Sequence, residues 1–258
     1  MIYIAFLFIT FALLAFVLYQ WQHHMIFTPI YHRTKKGLGS DCTLLSMQSE
    51  DGVELEGVIY EPKDAENTLV VFVGRSHDGI ALINRLSILY KKSRIITFNY
   101  RSYGKSGGVV SEKNVFKDAL TLAKLIQKNY GDFYLLGFSI GSSIAAYLAS
   151  HHKVKALFLV GAFDSIYSLA KSRFYNNIFI RPMIIKYKFE TIKFVKEVQA
   201  DTYLFVSIHD ELTYIKNARN LKESVKNLQG YMELENLSHK EILWDERVVK
   251  KINEVMQR

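Results

Sequence analysis

From Thr68 onward the chain alternates short apolar runs with segments of helical period. "TLVVFV" (68–73) is a continuous apolar run between polar flanks, the pattern of a strand buried on both faces. "RIITFNY" (94–100) precedes a helical pattern near 112–128, and "FYLLGF" (133–138) precedes a helix through "IGSSIAAYLAS". "VKALFLV" (154–160), "TYLFVSI" (202–208) and "GYMELE" (230–235) continue the series, with a helix expected near 214–227 and another closing the chain. Such alternation predicts an α/β fold: a mostly parallel central sheet with helices on both faces. Upstream, "TLLSMQS" and "VELEGVIY" bracket Glu50-Asp51-Gly52, and alternating apolar residues around Asp-Gly predict a β-hairpin.

Composition fits one folded domain. Of 258 residues, 49% are hydrophobic and 22% charged, enough apolar surface for one sizeable core and too much for a disordered chain. The net charge of +8 makes anionic partners plausible, yet no basic run of five or more stands out. The single cysteine, Cys42, excludes an intrachain disulfide and a cysteine-based zinc site. The histidines at 23, 24, 32, 77, 151, 152, 209 and 239 show no metal-binding spacing. "GKS" at 104–106 lacks the phosphate-loop glycine, because Asn99 stands at that position. No cofactor, metal or nucleic-acid partner is expected.

The first nineteen residues, "MIYIAFLFITFALLAFVLY", carry no charge. A run of that length predicts a membrane-spanning helix. A cleaved signal peptide would want a basic start and a small-residue cleavage site, and "QWQHHMIF" offers no such site. The expected layout is an anchor over 1–20, a linker over 21–40 and a catalytic domain over 41–258. No Lys or Arg precedes the anchor, and Arg33, Lys35 and Lys36 follow it, a bias that predicts a cytoplasmic-facing domain.

Residues 164–200 interrupt the strand–helix rhythm. They read as helical, and Tyr167, Phe174, Tyr175, Phe179, Tyr187, Phe189 and Phe194 are interleaved with lysine and arginine. Their place between two sheet strands predicts a short helical cap, with a crossover helix bearing a solvated face as the alternative.

Gly137-Phe138-Ser139-Ile140-Gly141 is a G-x-S-x-G pattern where a strand ends and a helix begins. That setting is the one a nucleophile elbow requires, and it aims the N–H of Ile140 at the substrate oxygen. A serine hydroxyl needs an adjacent base, itself oriented by a carboxylate. Asp210 follows the strand at 202–208, and His239 follows the strand at 230–235, so Ser139, Asp210 and His239 form a candidate triad. Asp164 is a reserve acid, and His209 is a poorer base because it shares the acid's own loop.

The chain resembles the α/β-hydrolase superfamily, and within it the membrane-anchored serine hydrolases of the Bem type, from about residue 22 onward. "MIFTPI" is similar to the aromatic-proline segment after the anchor, and "NYRSYGKSGG" (99–108) to the D-Y-R-G-Y-G-x-S-x-G loop. "GFSIGSS" resembles the elbow, "SIHDELT" the acid loop and "LSH" the histidine loop. The family's H-G pair corresponds to Val73-Gly74, which makes Arg75, or Ser76 one position later, the second backbone donor to an oxyanion. Ser207 and Ser238 stand where glycines are usual. The resemblance implies a membrane-anchored hydrolase of esters or thioesters, lipid-derived acyl substrates included. Acyl transfer at the same site and a non-catalytic membrane scaffold are the alternatives.

Overall fold

The computed structural model describes residues 2–31, 37–173 and 185–258. Helix α1 (Ile2–Ile26) leads into the hairpin strands β1 (Cys42–Gln48) and β2 (Glu54–Tyr60). The order is then β3 (Asn67–Phe72), α2 (Gly79–Leu89), β4 (Ser93–Phe98), α3 (Glu112–Tyr130), β5 (Tyr134–Phe138), α4 (Ile140–His151) and β6 (Ala156–Val160). It closes with α5 (Ile166–Arg173), α6 (Thr191–Phe194), β7 (Asp201–Ser207), α7 (Ile215–Lys222), β8 (Leu228–Leu234) and α8 (Glu246–Met256).

The strands form one eight-stranded sheet in the order β1-β2-β4-β3-β5-β6-β7-β8. β1 and β2 pair antiparallel, as do β2 and β4, and the remaining pairs are parallel. The run read as a doubly buried strand, 68–73, is buried from Thr68 to Val73; β5 and β6 are also buried at every position, whereas edge strand β8 is mostly half-buried. The hairpin turns at Gly52, whose φ of 79° suits a residue without Cβ.

Chain order reverses at β3. β4 lies on one side of it and β5 on the other. Right-handed crossovers in opposite directions place their helices on opposite faces. On one face, Asn253 of α8 donates to the Leu89 carbonyl of α2 at 3.1 Å. On the other, Phe116 of α3 stacks on Tyr147 of α4 with centroids 4.2 Å apart. The reversal falls between β3 and β5, and open α/β sheets bind ligands beyond the carboxyl ends of the strands at such a point.

Local chemistry sets the helix ends. Asp78 caps α2 by accepting from the Ile80 N–H, Ser111 caps α3 through Asn114, and Asp245 caps α8 through Arg247. α3 extends to Tyr130, past the expected 128, and stops where Gly131 takes a φ of 75°. α7 ends at Lys222, short of 227, and β8 begins at Leu228.

α1 runs past the expected boundary at residue 20 to Ile26. It is long and apolar enough to cross a membrane, and the large apolar side chains from Tyr3 to Val17 that the structure describes are exposed. The segment expected to be a linker starts as helix and then docks: Phe27 is buried against Tyr187, with ring centroids 5.1 Å apart. Arg33, Lys35 and Lys36 lie outside the described residues.

Within 164–200, α5 and the four-residue α6 are helical, and residues 185–190 just before α6 are irregular. The Glu112 carboxylate accepts from the N–H groups of Lys188 and Phe189, each at 2.7 Å, and so fastens that stretch to the start of α3. Phe174, Tyr175, Phe179 and Arg181 lie outside the described residues.

Candidate active site

Ser139 is the joint between β5 and α4. Its backbone has φ 57° and ψ −122°, a left-handed conformation that costs a residue with a Cβ about 1–3 kcal/mol. The surroundings hold it there. The Ser139 N–H donates to the Val160 carbonyl at 2.9 Å. The Ser139 carbonyl accepts from both the N–H and the hydroxyl of Ser142, at 2.9 and 2.5 Å. A Cβ on Gly137 would lie 2.6 Å from the Cα of Ser142, and one on Gly141 would lie 2.6 Å from the carbonyl carbon of Phe72. Non-bonded carbons prefer about 3.5–4.0 Å. Both glycines are therefore fixed by close backbone approach.

Gly141 thus presses the elbow against the end of β3. The chain leaving β3 makes a tight turn, with the His77 N–H donating to the Gly74 carbonyl at 3.2 Å. Arg75 and Ser76 are its central residues. Gly74 lies against the Phe138 ring, where a Cβ would meet Cδ1 at 3.2 Å. Among the described residues, the N–H groups of Arg75 and Ile140 donate to no backbone carbonyl.

The loops after β7 and β8 bring Asp210 and His239 together. His239 Nδ1 lies 2.7 Å from Asp210 Oδ2, and both residues are buried. The carboxylate is the acceptor, so Nδ1 carries the proton and Nε2 is left as the basic nitrogen. Asp210 Oδ1 accepts from the N–H groups of Leu212 and Thr213 at 2.8 Å, and Oδ2 accepts from the Thr213 hydroxyl at 2.6 Å. Burial pushes the Asp210 carboxyl up, but the His239 hydrogen bond and charge, with the Thr213 donors, outweigh it and hold the group below its ordinary value. The His239 ring stacks on Phe138, the residue before Ser139, with centroids 5.0 Å apart. Gly161 makes room for that ring, since a Cβ there would lie 3.1 Å from His239 Cε1.

The two serines that replace the usual glycines have local work. The Ser207 hydroxyl donates to the Leu237 carbonyl at 2.6 Å and accepts from the His209 N–H at 3.1 Å, tying the acid loop to the histidine loop. Ser238 donates through its N–H and its hydroxyl to Glu241, at 2.7 and 2.6 Å.

Asp164 is buried but spent elsewhere. It accepts from the Ser165 N–H at 2.7 Å and from the amides of Asn217 and Asn220 at 3.2 and 2.6 Å. His209 Nδ1 accepts from the Asn236 N–H at 3.2 Å. Neither one replaces a member of the Asp210–His239 pair.

Sequence reasoning gave no role to two tyrosines. Tyr100 donates its hydroxyl to the Val73 carbonyl at 2.6 Å, and Tyr103 donates to the Arg75 carbonyl at 2.5 Å. Both lie in the 99–108 loop, where Arg101 also pairs with Asp118 and Asp51 at 2.7–2.8 Å. Their targets are backbone carbonyls, which leave no trace in residue spacing.

Solved structures match this fold. An esterase of Pyrococcus furiosus aligns over 90% of this chain and 98% of its own, with a TM-score of 0.70 at 18% identity. An alpha-beta hydrolase of Vibrio vulnificus aligns over 84% of this chain and 81% of its own, with a TM-score of 0.68 at 18% identity. The fold is the α/β-hydrolase fold. Another example of the α/β-hydrolase fold, the esterase domain of a Rhodothermus marinus protein, aligns over 83% of this chain and 96% of its own at a TM-score of 0.61 and 16% identity. By sequence, an uncharacterized protein of Acanthamoeba polyphaga mimivirus is 25% identical over 179 residues, or 62% of this chain. The chain spans 61% of that relative's length. No family model matches the chain.

Proposed function

We propose that this protein is a membrane-anchored serine hydrolase that cleaves an ester or thioester through Ser139, His239 and Asp210. The observation that carries the reading is a serine held at a left-handed φ whose neighbour Phe138 stacks on the imidazole of a buried Asp–His pair, at the sheet's topological switch point. Proteins of the same fold include esterases, which favours an acyl substrate.

In the proposed reaction His239 Nε2 takes the Ser139 hydroxyl proton as Oγ attacks the carbonyl carbon. The N–H groups of Ile140 and Arg75 receive the developing oxyanion. The tetrahedral species collapses, and the leaving alcohol or thiol departs with the proton held by His239. Water then attacks the acyl-enzyme and gives a proton to His239, which passes it to Ser139 Oγ as the acyl–oxygen bond breaks and the acid leaves. Asp210 keeps the imidazole in the tautomer that this cycle needs. α1 serves as the anchor, and residues 164–200 act as the cap over the acyl group.

The test is turnover of a panel of p-nitrophenyl esters and acyl thioesters by purified full-length protein in detergent. The expected result is saturable hydrolysis of at least one acyl length, abolished by Ser139→Ala. Undiminished turnover by Ser139→Ala would remove the assignment.

A further inference from the structure

The turn that carries Arg75 is held by the end of α1. The Arg75 guanidinium donates to the carbonyl of Met25, in the last turn of α1. Carbonyls there lack intrahelical partners and sit at the negative end of the helix dipole, so a cation is a favourable ligand. The Tyr103 hydroxyl makes a second link. It accepts from the Thr28 N–H at 2.9 Å and donates to the Arg75 carbonyl at 2.5 Å. One buried hydroxyl therefore bridges the chain leaving α1 and the turn after β3. A third link runs from the Gly104 N–H to the Ile30 carbonyl at 2.9 Å.

These bonds fall on either side of one peptide group. The Arg75 N–H belongs to the Gly74–Arg75 peptide. The preceding peptide is held by Tyr100 through the Val73 carbonyl, and the following one by Tyr103 through the Arg75 carbonyl. The N–H is thus aimed by clamps on both neighbours, and one of those clamps is shared with the end of α1.

We propose that Tyr103 and the Arg75 side chain are positioning groups that couple the seating of α1 to the oxyanion-binding turn, so that residues 25–30 form part of the catalytic frame. This rests on the reading of the Arg75 N–H as an oxyanion donor. Loss of the bridge leaves the substrate's ground-state contacts in place and misdirects a donor that matters only as charge develops on oxygen.

The test uses the full-length protein in detergent with a short, water-soluble acyl ester. Tyr103→Phe keeps the ring and removes the bridging hydroxyl. The expected result is a kcat lower by about tenfold or more, as a small misplacement of catalytic groups produces, with KM unchanged. Affinity for a trifluoromethyl ketone analogue of the substrate should fall by the same factor as kcat. Tyr60→Phe is the control, because it removes a tyrosine hydroxyl bonded to the Lys91 carbonyl on the exposed surface, and its kinetics should match the parent. A folded Tyr103→Phe protein with parental kcat overturns the proposal. If that variant does not fold, Arg75→Lys carries the test. It keeps the backbone N–H, loses the guanidinium geometry, and must show the same kcat-selective loss, and a parental kcat again overturns the coupling. Ser139→Ala in parallel separates the failures: activity there removes the hydrolase reading itself, whereas an inactive Ser139→Ala beside an unaffected Tyr103→Phe removes only the coupling.

Discussion

At Ser139 a side chain with a Cβ occupies a backbone conformation suited to glycine, with φ at 57°. Ser139→Gly relieves that strain at some cost in unfolded-state entropy, so stability should rise by about 1 kcal/mol while turnover vanishes. Denaturant melts beside an esterase assay read both effects. Ser139→Ala and His239→Ala should each lower kcat by about 10⁴ to 10⁶, because residues acting as one unit fail together. Asp210 and His77 make stability sensitive to acid. Hydrogen bonds and the His239 charge overcome burial to hold Asp210 below its ordinary 3.8, so its contribution is present above that value and lost as pH falls through the lowered one. Burial, which outweighs a backbone hydrogen bond with Gly74 that favours the charged form, holds His77 below its ordinary 6.5. The unfolded chain then takes up that proton first, and stability declines as pH drops below 6.5. His77→Phe should flatten the fall in Tm between about pH 7 and about pH 5, the range in which histidine titrates.

Among the elements, the tightest is the joint of β3, β5 and α4. Gly141→Ala would drive a Cβ into the Phe72 backbone, and because backbone cannot rotate away the loss should exceed about 4 kcal/mol, the exceptional range for one substitution. Failure to recover folded protein, or a much lowered denaturant midpoint, is the expected reading. Arg101→Ala should cost about 3–5 kcal/mol, since it strands the buried Asp118 carboxylate. The central strands and the Asp51–Gly52 hairpin were legible in the sequence because burial on both faces leaves unbroken apolar runs and an Asp-Gly turn has its own chemistry. α2 was not singled out: "GIALINRLSIL" is apolar on most of its surface, so its helical period is weak. Asp210 and Asp164 each follow a strand, and sequence could only rank them. Geometry separates them, since Asp210 holds His239 and Asp164 holds two asparagine amides. The linker expected over 21–40 begins as helix because Gln22 and His23 find partners on Lys186 and Tyr187, contacts between distant parts of the chain that no local pattern announces.

In the molecule as a whole, an exposed apolar helix leads into an α/β-hydrolase fold, and the candidate site lies beside that helix's end. The full-length protein should sediment with membranes and resist alkaline carbonate, and deletion of residues 1–19 should release it. A fluorescent reporter fused after Arg258 should glow and alkaline phosphatase fused there should stay inactive, the pattern of a cytoplasmic domain; the opposite pattern would reverse the orientation. A fluorophosphonate probe reads directly whether Ser139 is an activated nucleophile. Purified full-length protein should gain one adduct, mapped by mass spectrometry to Ser139, absent in Ser139→Ala and strongly slowed in His239→Ala. A folded parent protein that takes up no adduct, or equal labelling of Ser139→Ala, would mean that Ser139 is not the nucleophile.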